Sequence, residues 1–297
     1  MKKTIVITGP TGVGKTKLSI ELAKKYNGEI INADAMQIYK KLNIGTAKIT
    51  EEEKENIPHH LFDIKEVDEE YSIYNYQKDC RIAIQDILSR NKTPILVGGT
   101  GLYIKSALYD YQLTENKIDS TKYEHLTNEE LYHELLKIDK DAMYKIDKNN
   151  RKRIINAIIF FKENNYSITK NKTNKILYDT IFIGLTTNRN LLYDIINKRV
   201  DKMIDNGLIE EVEYFYKKNI RTKPLTSGIG YKELYEYFDN HQSLEETIEK
   251  IKQNSRRYAK RQYTFFRHQL PIEWFETNYQ DFNQTINSIC EFINNSK

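Results

Sequence analysis

The sequence predicts an α/β protein, a P-loop NTPase-like core of parallel strands interrupted by a small all-helical insertion domain. Three observations predict it. A β-branched run ends in a glycine-rich turn that opens a helix. The order strand, turn, helix, strand is a βαβ unit, which implies a parallel sheet. Residues 114–174 contain neither Gly nor Pro and read as mostly helical.

Each element has a local reason. Thr4-Ile5-Val6-Ile7-Thr8 is a short apolar run stopped by Gly9-Pro10, as a buried strand should be. Between residues 15 and 26, Leu18, Leu22 and Ala23 recur at helical spacing, with Gly28 as the stop. Residues 29–34 make a second strand. A helix spans 76–90 with Cys80, Ile84, Ile87 and Leu88 on its apolar side, entered through Ser72. Residues 94–97 form another buried strand, leaving through Gly98-Gly99-Thr100-Gly101. Helices over 128–137 and 151–163 follow from Leu131, Leu135 and Leu136, and from Ile154, Ile158 and Phe161. Residues 162–175 are dominated by polar side chains. The run Thr180–Thr186 returns to the sheet, and 188–218 reads as two amphipathic helices broken near Gly207. The expected organisation is a discontinuous core, 1–112 and 178–297, around an insertion at 113–177.

Composition narrows the class. The 297 residues carry 46 Lys+Arg against 42 Asp+Glu, a net charge of +4. No run approaches the roughly 20 apolar residues that span a bilayer. The apolar stretch after Lys3 is too short for a secretory signal. Two cysteines, Cys80 and Cys290, supply neither a disulfide framework nor a four-cysteine zinc site. A soluble, cytoplasmic protein without membrane attachment is expected. His59-His60 reads as loop packing ahead of a metal site, Asp63 and Asp68 as solvated or capping, and Trp274 as packed on the core.

Charge distribution says more than net charge. From Lys250 to His268 there are seven basic residues and no acid, interleaved with Tyr258, Tyr263, Phe265 and Phe266. Solvated helix faces usually mix signs for i,i+4 pairing. An acid-free run therefore points to a polyanionic partner.

Gly9-Pro10-Thr11-Gly12-Val13-Gly14-Lys15-Thr16 satisfies G-x-x-x-x-G-K-[ST] between a strand and a helix. Such a loop turns backbone N–H groups onto phosphate oxygens at a helix N-terminus. Lys15 would reach the outer phosphate, and Thr16 would ligate Mg²⁺ or a phosphate oxygen. Ordinary P-loop hydrolases also need a later strand ending in Asp to hold Mg²⁺. The later strands here run into Gly98-Gly99-Thr100 and Gly184-Leu185-Thr186 instead. The carboxylate at a strand end near the loop is Asp34, which would face the phosphate site as a base or else cap a turn. Transfer chemistry on a phosphorylated substrate is favoured over NTP hydrolysis.

Further segments carry a resemblance. The P-loop, residues 31–39 (INADAMQIY), 43–48 (NIGTAK), 59–64 (HHLFDI), 96–103 (LVGGTGLY), 228–233 (GIGYKE) and 257–262 (RYAKRQ) together resemble the tRNA dimethylallyltransferase, or tRNA isopentenyltransferase, family. The resemblance implies transfer of the dimethylallyl group of dimethylallyl diphosphate, with Mg²⁺, to N6 of the adenosine 3′-adjacent to a tRNA anticodon. The P-loop would then cradle the diphosphate, Asp34 would accept the N6 proton, and Arg199 would contact the diphosphate. Asp34, Ala35, Met36, Gln37 and Thr100 would touch tRNA. Lys152 and Arg153 in the insertion, with Arg257 and Arg261 in the basic run, would contact its backbone. A monomer is expected. Departures from the family pattern are Ala35 for Ser, Ile195 for an arginine, Asp147-Lys148 for His-Pro, Asn156 for Arg and Phe265 for Trp. The alternative is a P-loop small-molecule or nucleoside kinase with ATP as donor, which leaves the basic run unexplained.

Overall fold

The computed structural model describes residues 3–113, 120–170 and 175–296. Among them six strands form one sheet, β1 (Thr4–Thr8), β2 (Gly28–Asn32), β3 (His59–His60), β4 (Thr93–Val97), β5 (Thr180–Thr186) and β6 (Glu273–Glu276). Their order is β3-β2-β4-β1-β5-β6, and every pair is parallel. The described helices are α1 (Lys15–Tyr26), α2 (Ile73–Ser89), α3 (Gly101–Leu108), α4 (Asn128–Ile138), α5 (Lys140–Met143), α6 (Arg151–Asn164), α7 (Arg189–Asp205), α8 (Leu208–Lys217), α9 (Lys223–Ser227), α10 (Tyr231–Phe238), α11 (Leu244–Gln269) and α12 (Phe282–Asn295). None of them is long and apolar enough to cross a membrane.

The central strands are apolar on both faces because helices cover both sides of a parallel sheet. Ile5 of β1 stands beside Ile95 of β4 and Ile181 of β5, and all three are buried. Leu18 and Leu22 of α1, Ile196 of α7 and Ile289 of α12 join them in one core.

Some local expectations change. Asn27 stops α1 in a left-handed conformation (φ 50°), its N–H bonded to the Ala23 carbonyl, while Gly28 already belongs to β2. Asn tolerates that conformation because its short amide bonds locally. Strand β2 ends at Asn32, two residues early, because the Asn32 side chain builds a turn. Its Oδ1 accepts from Asp34 N (2.8 Å) and its Nδ2 donates to Leu61 O (2.9 Å). His59 and His60 lie on an edge strand, and Trp274 on another, two short elements without a readable alternation. Residues 171–174 of the polar stretch lie outside the described residues.

Two compact units emerge. One comprises Met1–Ser72, Tyr76–Leu108 and Tyr178–Lys297, the other Ile73–Asn75 and Tyr109–Leu177. The second has its own core of Leu131, Leu135, Ala142, Ile154, Ala157 and Ile158 around Tyr123. Thr127 and Glu130 close a capping box on α4, which satisfies N-terminal amides.

Buried charge sits at the start of β2. Glu29 is 1% exposed and accepts from Arg90 (2.7 Å to Oε2), Lys92 (2.7 Å) and His60 (2.7 Å). The Arg90 guanidinium, with Lys92 and His60, holds the carboxyl well below its ordinary range against the opposing effect of burial. Asp63 is exposed, as a solvated residue should be, and also pairs with Lys48 at 2.6 Å.

Candidate active site

The C-terminal ends of β1, β2 and β4 open on a cavity of about 520 Å³, where open parallel sheets place ligands. Residues 9–16 form the loop between β1 and α1. Gly12 and Gly14 take φ 87° and 93°, which side chains rarely adopt, and a Cβ on Gly14 would meet the Phe282 ring at 2.7 Å. Thr11, Gly12, Gly14, Lys15 and Thr16 line the cavity. Val13 faces the core, fully buried, while its carbonyl accepts from Thr277 Oγ1 at 3.0 Å.

Lys15 Nζ donates to the carbonyls of Gly9 (3.0 Å) and Pro10 (2.7 Å). Burial pulls its pKa down to about 7, the positive charge of Arg199 adds to the fall, and Asp34 opposes it. Arg199, on α7, lines the same cavity and donates to the Thr46 carbonyl at 3.4 Å. Burial lowers its pKa as well, again against Asp34. Ile195 lies one turn earlier over the loop, since a Cβ on Gly12 would come within 2.7 Å of it. The position where the family pattern has a second arginine thus contributes packing here.

A different set of elements builds the opposite wall. Asp34 follows β2 and lines the cavity, and its Oδ1 accepts from Met36 N at 2.9 Å. Asp34 therefore forms a turn and also faces the cavity. Thr100, at the start of α3, accepts from Ala35 N at 3.1 Å through Oγ1. Met36 and Gln37 line the cavity too, and Gln37 Nε2 donates to Thr46 O at 3.1 Å. From α11 come Tyr258, Arg261 and Gln262. Burial and the Asp34 charge push the Tyr258 phenol up, with the neighbouring Thr100 and Gln262 side chains opposing the rise. Gln262 is 5% exposed, donates to Gly99 O at 3.1 Å, and leaves Oε1 unpaired among the described residues. An unpaired buried acceptor in a cavity wall is costly unless a ligand donates to it. Sequence reading missed Tyr258 and Gln262 as site residues. For Gln262 the signal was the buried stripe Thr247, Ile251, Ala259, Gln262 and Phe266, in which it is the one polar residue of the C-terminal half.

The basic run is split by its surroundings. Lys250 pairs with Glu236 (2.5 Å), Lys252 with Asp201 (2.8 Å) and Glu249 (3.0 Å), and Arg256 donates to Asn197 (2.5 Å). Glu236 and Asp201 from other helices, with Glu249 just before the stretch, thus neutralise the start of a run that is acid-free only between residues 250 and 268. Among the described residues, Arg257, Lys260 and Arg261 are exposed and pair with no carboxylate. Arg261 lies over the Tyr258 ring. In the second unit Lys152 and Arg153 are exposed on α6, whereas Arg151 donates to the carbonyls of Leu126 (2.6 Å), Tyr123 (2.7 Å) and Glu124 (2.9 Å). Arg151 is consumed by its own fold. His59 Nδ1 lies 2.7 Å from Ile57 O. Among the described residues no group of three His, Cys, Asp or Glu could hold a metal.

A parallel sheet with a phosphate-binding loop at its C-terminal edge defines a P-loop protein, here with Asp34, two residues beyond the end of β2, in the same cavity as the loop. The family profile described as "IPP transferase" matches residues 37–269. The tRNA dimethylallyltransferase of Anoxybacillus flavithermus is 49% identical over 98% of this chain and 96% of its own. That of Bacillus pumilus is 50% identical over 93% and 91%. Among solved structures, a tRNA isopentenylpyrophosphate transferase from Staphylococcus epidermidis is similar with a TM-score of 0.76, 40% identity and full coverage of both chains. A eukaryotic dimethylallyltransferase acting on tRNA is similar with a TM-score of 0.89 and 31% identity, over 100% of this chain and 81% of its own. The chain belongs to the IPP transferase family.

Proposed function

We propose that this chain transfers the dimethylallyl group of dimethylallyl diphosphate to N6 of the adenosine 3′-adjacent to a tRNA anticodon, releasing diphosphate. One observation carries the reading: Lys15, Arg199 and the loop amides share a cavity with the Asp34 carboxylate. A leaving group that gathers negative charge needs the first set. A nucleophile that must lose a proton needs the second. The names and activities of the family relatives agree with it.

The adenine amine is a weak nucleophile because its lone pair is delocalised into the ring. The allylic C1–O bond breaks with its electron pair passing to the diphosphate, and the N6–C1 bond forms. Lys15, Arg199 and the loop N–H groups stabilise the departing charge. Asp34 accepts the N6 proton, and its turn fixes the carboxylate in line with the amine. Gly9 to Thr16 form the diphosphate cradle. For Mg²⁺, the donors at hand are the Thr16 hydroxyl, exposed on the first turn of α1, and diphosphate oxygens. Hard oxygen donors completed by water suit that ion. When bound, it would neutralise charge on the leaving group.

The adenosine must leave its stack to reach the cavity. Ala35, Met36, Gln37 and Thr100 lie at or beside the Asp34 turn to meet it, and Tyr258 offers a ring for stacking. Exposed Arg257, Arg261, Lys152 and Arg153 supply phosphate contacts. The test is incubation of the protein with Mg²⁺, dimethylallyl diphosphate and unmodified tRNA, followed by nucleoside analysis. N6-dimethylallyladenosine is expected. Its absence together with ATP-dependent phosphorylation of a small molecule would replace the reading with a kinase.

A further inference from the structure

One wall of the cavity is a turn between β2 and β3, and it is held in a conformation its residues disfavour. Gly45, Thr46 and Ala47 line the cavity. Lys41 (φ 63°) and Ala47 (φ 44°), neither of them glycine, are both left-handed. Such backbone persists only where its surroundings over-determine it.

The surroundings here centre on Glu211 of α8. Its Oε2 accepts from the amides of Asn43 (2.9 Å) and Ile44 (2.8 Å). Its Oε1 accepts from the Gly45 amide (3.1 Å) and the Tyr231 hydroxyl (2.6 Å). Three consecutive N–H groups on one carboxylate form an anion nest with charge-assisted bonds. Tyr231 closes the arrangement from α10, its ring so near Gly45 that a Cβ there would lie 2.6 Å away. Any side chain at position 45 would push the turn off its anchor.

The turn then reaches the reacting groups. The Thr46 carbonyl accepts from Arg199 (3.4 Å) and from Gln37 (3.1 Å), so one atom orients a cation of the diphosphate half and an amide of the acceptor half. Glu211 itself is absent from the cavity lining. We propose that Glu211 is a positioning residue, which holds the 43–47 turn so that the Thr46 carbonyl aims Arg199 at the diphosphate. This rests on the donor reading proposed above. It adds a residue that touches no substrate.

The test uses the full chain and Mg²⁺-pyrophosphate as the probe, with binding measured by calorimetry and the turn followed by amide hydrogen exchange. Glu211→Gln keeps the shape but loses the charge and turns an NH₂ toward the nest. It should weaken pyrophosphate binding about tenfold and speed exchange at residues 43–45. In an Arg199→Ala background the same change should cost less than about twofold further, because the effect runs through Arg199. Equal losses in both backgrounds, or a Glu211→Gln Kd unchanged from the parent, would overturn the proposal. If Glu211→Gln does not fold, Glu211→Asp, with the charge kept and the reach shortened, carries the same cycle. Failure of the parent protein to bind pyrophosphate would sink the donor reading itself. Unchanged exchange at 43–45 would sink the nest on its own.

Discussion

The two walls of the cavity are built by opposite strategies. The phosphate wall is mainly one contiguous loop, residues 9–16, whose backbone amides and Lys15 are joined by one side chain from elsewhere, Arg199 of α7. The acceptor wall is assembled from the turn after β2 and the middle of α11, through Asp34, Tyr258 and Gln262, while Thr100 accepts from the Ala35 amide of that turn. Backbone amides at a helix N-terminus bind any phosphate, so the loop itself needs only local sequence. Selecting one base atom requires side chains converging from distant segments, so the other wall needs the whole fold. The difference predicts that the walls separate under mutation.

Asp34→Ala tests that separation most severely. Removing a general base typically costs about 10²–10⁴ in rate, so turnover should fall by that order while tRNA and pyrophosphate affinities hold. A matching loss of tRNA affinity would make Asp34 a binding residue and merge the two roles. Lys15→Ala acts on the other wall. Loss of one electrostatic donor is worth about 10²–10³, here with weaker pyrophosphate binding as well, measured by calorimetry.

Arg257→Glu with Arg261→Glu should weaken tRNA binding and reduce the slope of log affinity against log salt by about 0.7–0.9 per lost phosphate contact. An unchanged slope would place this stretch of α11 away from RNA. Lys250→Glu, at a position already paired with Glu236, should alter the slope less.

The pH response should also differ between walls. Free Lys15 loses its proton near pH 7, and a bound diphosphate favours the charged form. Binding above about pH 7 therefore takes up a proton, and pyrophosphate affinity falls as pH rises through that range. Calorimetry in buffers of different ionisation enthalpy reads the uptake, and Lys15→Met should abolish it. Smallest is an effect on stability far from either wall. Glu29 has its pKa lowered on folding, so its contribution is present above the unfolded value near 4.5 and is lost as pH falls below it. Glu29→Gln should flatten the acid limb of the urea midpoint.

Much of the core was legible because its cause is local. Strand β1, helix α1 and the loop between them follow from β-branched residues, helical spacing and glycines that tolerate positive φ. Strands β3 and β6, only two and four residues long, were not legible. They exist because neighbouring strands offer unpaired backbone groups, a condition no pattern in His59-His60 or 273–276 records. The acid-free run shows the same limit: pairing along a helix is visible in sequence, whereas Glu236 and Asp201 reach Lys250 and Lys252 only through the fold.

The sequence by itself determined a phosphate-binding loop, a carboxylate at the next strand end, a parallel sheet and a family. Tertiary structure alone decided which cations among the described residues pair with no carboxylate, that Ile195 packs over the loop, and that Tyr258 and Gln262 share the cavity with Asp34. It alone also showed Glu211 holding the turn that orients Arg199. The reason is range. Amide cradles and helix caps act within a few residues, but the electrostatics and hydrogen bonds that aim a side chain depend on whatever the fold brings within a few ångströms of it.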